Sequence, residues 1–97
     1  IHTVGPVYRG RPDDSRLLAG CYINSLALAT AHGIHTLAFP AISCGVYGYP
    51  VAEASKIAVD ACAMFMDTHE GPEKVIFTLF SAADLDIYTR YLSRRVG

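Results

Sequence analysis

Residues 37–50 read LAFPAISCGVYGYP, and this stretch decides how the chain folds. Its apolar start predicts a short β-strand over residues 34–42 that runs into a turn. Residues 43–50 contain two glycines and a proline, which predicts a loop with special backbone angles. In open α/β sheets, ligands bind beyond the carboxyl ends of the strands. This loop is therefore the best candidate for a functional site.

Helical patterns lie on both sides of this stretch. From residue 14, apolar or small side chains recur at three- and four-residue spacing, which predicts a helix that Asp13 or Asp14 caps and that Gly33 ends. A second helix is predicted to start at about Pro50 and to stop before Gly71. Ser81 and the aspartate three residues later resemble a capping box, which predicts the start of a third helix.

Two further segments predict strands. Residues 1–8, IHTVGPVY, are predicted to form a strand. The Gly-Pro pair within it should bend this strand or confine it to an edge of the sheet. Residues 74–80, KVIFTLF, are a continuous apolar run, typical of a strand covered on both faces. The order β-α-β-α-β-α predicts an α/β fold with a mainly parallel sheet and helices on both faces. Three strands are few for that plan, so we expect more strands from outside these residues.

The composition excludes several classes of protein. The 97 residues include 8 basic and 9 acidic side chains, a formal net charge of −1, and 52% are hydrophobic. One small domain or part of a domain, with a real core, is expected. The sequence contains no cluster of lysine and arginine residues of the kind that binds duplex nucleic acid or an acidic membrane surface. The apolar stretches are shorter than the roughly 20 residues of a membrane span.

The cysteines and histidines give no metal-site pattern. Cys21, Cys44 and Cys62 are widely spaced and contain no CxxC pair, which predicts neither a disulfide framework nor a zinc site and favours a reducing, cytoplasmic setting. The four histidines lack ligand spacing. We therefore predict no metal and no cofactor.

The glycine-bearing loop has the elements of an anion site. Backbone N–H groups can converge on a phosphate there, and the start of the next helix adds the positive end of its dipole. The alternative is a tight connection in which the glycines serve backbone geometry alone. A Walker A loop is excluded because Tyr49 and Pro50, and no lysine, follow Gly48. A cysteine phosphatase would need an arginine six residues after Cys44, where Pro50 stands, so Cys44 is a poor candidate nucleophile.

The stretch LAFPAISCGVYGYP, together with IHTVGPVY and KVIFTLF, resembles the macrodomain family. The resemblance extends through YINSLALA in the first helix and is strongest to the bacterial O-acetyl-ADP-ribose deacetylase branch. It implies a three-layer α/β/α fold, of which residues 1–97 are the C-terminal portion of a single, incomplete macrodomain. It also implies that the catalytic residues lie in the missing N-terminal part and that none lies on this chain.

The resemblance implies a set of ligand-binding residues. The loop around the diphosphate and ribose would comprise Ser43, Cys44, Gly45, Val46, Tyr47 and Gly48, and Phe80 would flank the adenine. Cys44 replaces a commoner threonine and would bind through its backbone. An ordinary core role stays open for Phe80. Tyr49 is expected to be structural, and Glu53 to favour the dipole of the second helix rather than catalysis.

The resemblance implies that the protein binds ADP-ribose or its derivatives. In complete form it would hydrolyse O-acetyl-ADP-ribose or ADP-ribosyl esters. Two alternatives stay open, a non-catalytic ADP-ribose reader module and a structural or interaction fragment. An ADP-ribosylated protein, and a chain that supplies the missing half, are further candidate partners.

Overall fold

The computed structural model of the chain describes residues 5, 7–42, 44, 47–69, 71–79 and 81–96. Along these residues it has three helices and two strands: α1 (Asp13–Ala31), β1 (Thr36–Phe39), α2 (Val51–Thr68), β2 (Lys74–Phe77) and α3 (Ala82–Val96). Both strands are shorter than predicted. Most of the strand predicted at residues 1–8 lies outside the described residues, and residues 5, 7 and 8 are not in a strand.

The two strands pair in parallel, as predicted, with Thr36 opposite Lys74 and Phe39 opposite Phe77. Since α2 lies between them in the chain, β1, α2 and β2 form a crossover unit. Parallel strands joined in this way end at the same edge of the sheet. The segments that follow Phe39 and Phe77 therefore leave the sheet side by side.

The start of α1 corrects one prediction. Pro12 occupies the N-cap position and neither Asp13 nor Asp14 caps the helix with its side chain. The buried Asp14 carboxylate instead accepts hydrogen bonds from the backbone N–H groups of Arg9, at 2.9 Å, and Arg11, at 3.2 Å. It thus ties down the segment before the helix. These backbone bonds, that from Arg9 first, hold the pKa of Asp14 below its usual value.

The other helix ends follow the sequence closely. Gly33, at φ +67°, follows the end of α1, where its N–H bonds to Thr30 and the N–H of Ile34 bonds to Ala29. This pair of bonds is a Schellman motif, which requires a left-handed residue at the position of Gly33. The Ser81 hydroxyl accepts a bond from the Asp84 N–H at 3.2 Å, as the predicted cap of α3 requires.

The core lies on one face of the sheet and contains residues from all three helices. Its centre is aromatic: the Tyr22 ring of α1 meets Phe39 edge-on at 4.9 Å, and Phe77 lies 5.3 Å from the Tyr88 ring of α3. These pairs fill the space between the strands and the helices. Among the described residues, no helix is both long and apolar enough to cross a membrane.

The opposite face of the sheet is uncovered along the described residues. Thr36, Ala38, Lys74 and Ile76 are exposed there, and Ile76 keeps 41% of its surface accessible. The strand predicted at residues 74–80 to be covered on both faces is therefore covered on one face along Lys74–Phe77, and the helices of the described residues lie on that face alone. The reason is that all three helices contribute to the single core on the face of Phe39 and Phe77.

Candidate functional site

The candidate site is the connection between β1 and α2, residues 40–50, which we call the β1–α2 loop. It leaves the carboxyl end of β1 and ends at the N-terminus of an 18-residue helix. Four of the predicted ligand-binding residues lie outside the described residues: Ser43, Gly45, Val46 and Phe80. The structure describes the other three, Cys44, Tyr47 and Gly48, and all three lie in this loop.

The first part of the loop is hydrogen-bonded to the side chain of Tyr22 in α1. The Tyr22 hydroxyl donates a hydrogen bond to the Pro40 carbonyl at 3.5 Å and accepts one from the Ile42 N–H at 3.3 Å. Tyr22 is fully buried, and burial raises the pKa of its hydroxyl. Position 22 fits the apolar spacing that predicts the first helix, but no sequence signal indicates that the hydroxyl of Tyr22 reaches the loop.

The last part of the loop is held by two other tyrosines. The Tyr8 backbone N–H donates to the Tyr47 carbonyl at 2.9 Å. The ring of Tyr8 lies 4.8 Å from that of Tyr49, which is 4% exposed. Burial raises the pKa of Tyr49, and its buried ring agrees with the structural role predicted for it.

Tyr47 and Gly48 present a different surface. Tyr47 is 37% exposed, so its side chain is accessible from solvent, unlike that of Tyr49. Gly48 has φ +76°, in the left-handed region that side chains disfavour. A Cβ atom at Gly48 would meet nothing within 4 Å. Backbone conformation, rather than space, is thus the reason for a glycine here.

Cys44 is partly buried beside this surface. Its N–H donates to the Ala41 carbonyl at 3.3 Å, which closes a turn. Burial, and next the Asp84 carboxylate, raise the pKa of the Cys44 thiol. A thiol of raised pKa is protonated at neutral pH and is a poor nucleophile, in line with the sequence interpretation.

The start of α2 completes the site. Pro50, where the helix was predicted to start, occupies the N-cap position, so α2 begins one residue later, and Pro50 makes no side-chain cap. The first N–H groups of a helix have no partner within the helix, and the dipole places positive charge at that end. Glu53, in the first turn, is exposed. The loop therefore ends in a region of positive potential created without a basic side chain.

Other parts of the described chain lack site chemistry of this kind. No group of three or more histidine, cysteine, aspartate or glutamate side chains there could hold a metal ion. Two cavities, of about 180 and 230 Å³, lie elsewhere. One is lined by the segment before α1, with Arg9 and Arg11, and the other by Thr30, His35 and Glu73.

The comparisons with known proteins define the class. The sequence profile of the Macro domain family matches residues 1–58, and the chain belongs to this family. It is 50% identical over 94 residues to a macro domain-containing protein of Chlorobaculum tepidum, a match that covers 96% of this chain and 55% of that protein. It is 47% identical over 96 residues to the O-acetyl-ADP-ribose deacetylase of an Enterobacter species, covering 98% of this chain and 53% of the relative.

A solved structure gives the same fold. A mutant of the Oceanobacillus iheyensis macrodomain, solved with ADPR, matches with a TM-score of 0.92 at 40% identity, over 98% of this chain and 51% of that one. The predicted macrodomain fold class is thus confirmed. The chain spans about half the length of the curated relatives it matches.

Proposed function

We propose that the complete protein binds ADP-ribose or a derivative, and that the β1–α2 loop holds its diphosphate. One observation carries this proposal: the loop leaves the carboxyl end of β1, takes a left-handed turn at Gly48 and leads directly into the uncapped N-terminus of α2. Backbone amides and a helix dipole in that arrangement stabilise an anion without lysine or arginine. The ADPR in the related structure supports the choice of ligand.

The loop would recognise the parts of the ligand in different ways. The Cys44 N–H makes only a long, 3.3 Å bond to Ala41, and a phosphate oxygen is a stronger acceptor that would replace it. Tyr47, which is exposed, would pack against a ribose. Phe80 remains the predicted neighbour of the adenine, where stacking would contribute about 1–3 kcal/mol.

We propose further that the complete protein is a hydrolase that cleaves O-acetyl-ADP-ribose or an ADP-ribosyl ester. The name of the Enterobacter relative supports this activity. The loop contributes binding and orientation, because residues 40–50 include no acidic side chain and the thiol of Cys44 has a raised pKa. The group that activates water would therefore come from outside this chain.

The lack of an acidic side chain in the loop also favours a second candidate, a non-catalytic ADP-ribose reader. Both candidates require the same binding site and differ in turnover alone. Calorimetric titration of the full-length protein with ADP-ribose tests the site, and release of acetate from O-acetyl-ADP-ribose tests the reaction. Binding with turnover supports the hydrolase, and binding without turnover the reader. Absence of binding would contradict both.

A further inference from the structure

Asp14 is a buried carboxylate that the proposed binding mode does not use. It lies in the first turn of α1 and is 4% exposed, whereas the adjacent Asp13 is exposed. Its Oδ2 atom accepts hydrogen bonds from the backbone N–H groups of Arg9, at 2.9 Å, and Arg11, at 3.2 Å. Burying a carboxylate costs free energy unless hydrogen bonds compensate for the lost water. The two bonds join Asp14 to residues before the helix, so its role lies in that segment.

Residues 7–12 depend on these bonds for their position. All of them except Tyr8 are exposed, so the segment buries little surface of its own. Gly10, at φ +69°, takes the left-handed conformation that lets the N–H groups on either side face one oxygen atom. A cavity of about 180 Å³, lined in part by Val7, lies against the segment. Loss of the two bonds would therefore free the segment to move into that space.

The same segment contacts the last part of the β1–α2 loop twice. The Tyr8 N–H donates to the Tyr47 carbonyl at 2.9 Å, and the Tyr8 ring packs 4.8 Å from the buried ring of Tyr49. These contacts flank Gly48, whose left-handed φ of +76° sets the direction of the chain between them. The segment therefore fixes the backbone of Tyr47, and with it the point from which the exposed Tyr47 side chain starts.

We propose that Asp14 is a positioning residue for the binding site: its carboxylate holds residues 7–12, Tyr8 in turn holds Tyr47, and the Tyr47 ring is thereby kept where it packs against the ribose. This inference rests on the proposed binding of ADP-ribose at the β1–α2 loop. Asp14 would act through these residues, without a contact of its own to the ligand. The bonds of 2.9, 3.2 and 2.9 Å along this path all lie in the usual N–H···O range of roughly 2.7–3.2 Å, as a rigid support requires.

Removing the carboxylate tests the first step of this path. In the full-length protein, Asp14→Ala removes the acceptor and should weaken binding of ADP-ribose about tenfold. Asp14→Asn keeps one carbonyl oxygen that accepts the same bonds without the charge, so a loss of about threefold is expected. Calorimetry at a temperature well below the melting point of each variant measures the affinities. If Asp14→Ala does not fold, Asp14→Asn decides the test.

Two controls separate position from stability and charge. Tyr91→Phe removes a hydroxyl that donates to Asp60 of α2 at 2.7 Å, about 14 Å along the helix from the loop. It should lower the melting temperature and leave the affinity for ADP-ribose unchanged within twofold. Asp13→Asn removes the same charge one residue away, from an exposed carboxylate, and should also leave the affinity unchanged. A loss of affinity in either control equal to that of the Asp14 variant would overturn the positioning role.

The double variant Asp14→Ala/Tyr47→Ala tests whether Asp14 acts through Tyr47. Once the Tyr47 ring is absent, loss of the Asp14 carboxylate should weaken binding by less than a further twofold. Losses that multiply would overturn the path, and so would a Tyr47→Ala protein that binds as tightly as the wild type. Wild-type protein that binds ADP-ribose, with the Asp14 variant equal to it within twofold, would overturn the positioning role alone. Wild-type protein that does not bind ADP-ribose would overturn the proposed function and this inference together.

Discussion

The backbone N–H of Tyr8 meets the carbonyl of Tyr47 at 2.9 Å and so joins the segment before α1 to the β1–α2 loop. The Asp14 carboxylate binds that same segment through the N–H groups of Arg9 and Arg11. One end of the loop is therefore fixed by residues near the start of the chain. The other end depends on Tyr22, through bonds of 3.3 and 3.5 Å.

The left-handed conformation of Gly48 predicts a cost for any side chain there. Gly48→Ala should lower the free energy of unfolding by about 1–2 kcal/mol, because an L-residue at this φ is strained although its Cβ has space. It should also weaken binding of ADP-ribose about tenfold, equivalent to about 1.4 kcal/mol, by shifting the amides that we propose bind the diphosphate. Urea unfolding and calorimetry measure the two effects.

Gly20→Ala is the control for that change. Gly20 lies within α1, and a Cβ there also meets nothing within 4 Å. Alanine should stabilise the helix by up to about 1 kcal/mol and leave the affinity for ADP-ribose as it is. Unchanged affinity in a folded Gly48→Ala protein would mean that this glycine does not shape the binding site.

The raised pKa of Cys44 predicts that its thiol takes no chemical part in hydrolysis. Cys44→Ala in the full-length protein should keep kcat/KM for O-acetyl-ADP-ribose within about tenfold of the wild type, a change of less than about 1.4 kcal/mol in the barrier. Steady-state kinetics measure this ratio. A loss beyond about a thousandfold, roughly 4 kcal/mol, would show that the thiol reacts.

The lowered pKa of Asp14 predicts a pH-dependent contribution to stability. A carboxylate with a depressed folded-state pKa stabilises the fold above its unfolded pKa, near 3.8, and loses that contribution as the pH falls through the folded value. Asp14→Asn should therefore be less stable than the wild type at pH 7. The difference should shrink below pH 4 (about the unfolded pKa) in urea unfolding curves.

Asp13→Asn is the neighbouring control, because the carboxylate of Asp13 is exposed and forms a 3.8 Å ion pair with Arg16. Such surface pairs contribute little, so this variant should follow the wild-type pH profile. An Asp14→Asn profile parallel to that of the wild type at all pH values would contradict the assigned bonds.

The uncovered sheet face predicts how the 97-residue chain behaves when it is expressed alone. Ile76 and Ala38 offer apolar surface beside strand edges that are unpaired among the described residues, so the isolated chain should be aggregated, dimeric or poorly folded and should not deacetylate O-acetyl-ADP-ribose. Size-exclusion chromatography should show more monomer for Ile76→Lys than for Met64→Lys, a control at an exposed position of α2. A monodisperse wild-type monomer with clear turnover would contradict this prediction.

The sequence predicted local features best. Gly33 and Ser81 act over a few residues, and the structure has both the helix end and the helix cap that they indicate. The parallel pairing followed from the alternation of elements. The glycine loop was placed correctly at the end of β1, although the contacts of Ser43, Gly45, Val46 and Phe80 lie outside the described residues and their roles stay predictions.

Interactions between residues distant in sequence were missed. Asp14 has the sequence pattern of a cap, yet its carboxylate binds earlier backbone, because the segment before α1 folds back over the helix start. The hydrogen bond between Tyr22 and Ile42 joins residues that are 20 positions apart in sequence, and the spacing of apolar residues does not predict such a bond. The apolar sequence of residues 74–80 does not distinguish a strand that is covered on one face from a strand that is covered on both.

The pairing of Phe39 with Phe77 has a consequence for the site as well as for the core. A slip of one residue between the strands would turn one ring of the pair away from its neighbours, since successive side chains point to opposite faces. The packing of the rings against Tyr22 and Tyr88 therefore locks the register. With this register fixed, the carboxyl ends of β1 and β2 lie side by side at Phe39 and Phe77. The relative position of the two segments that would contact a ligand is thus set by the aromatic core rather than by the loop itself.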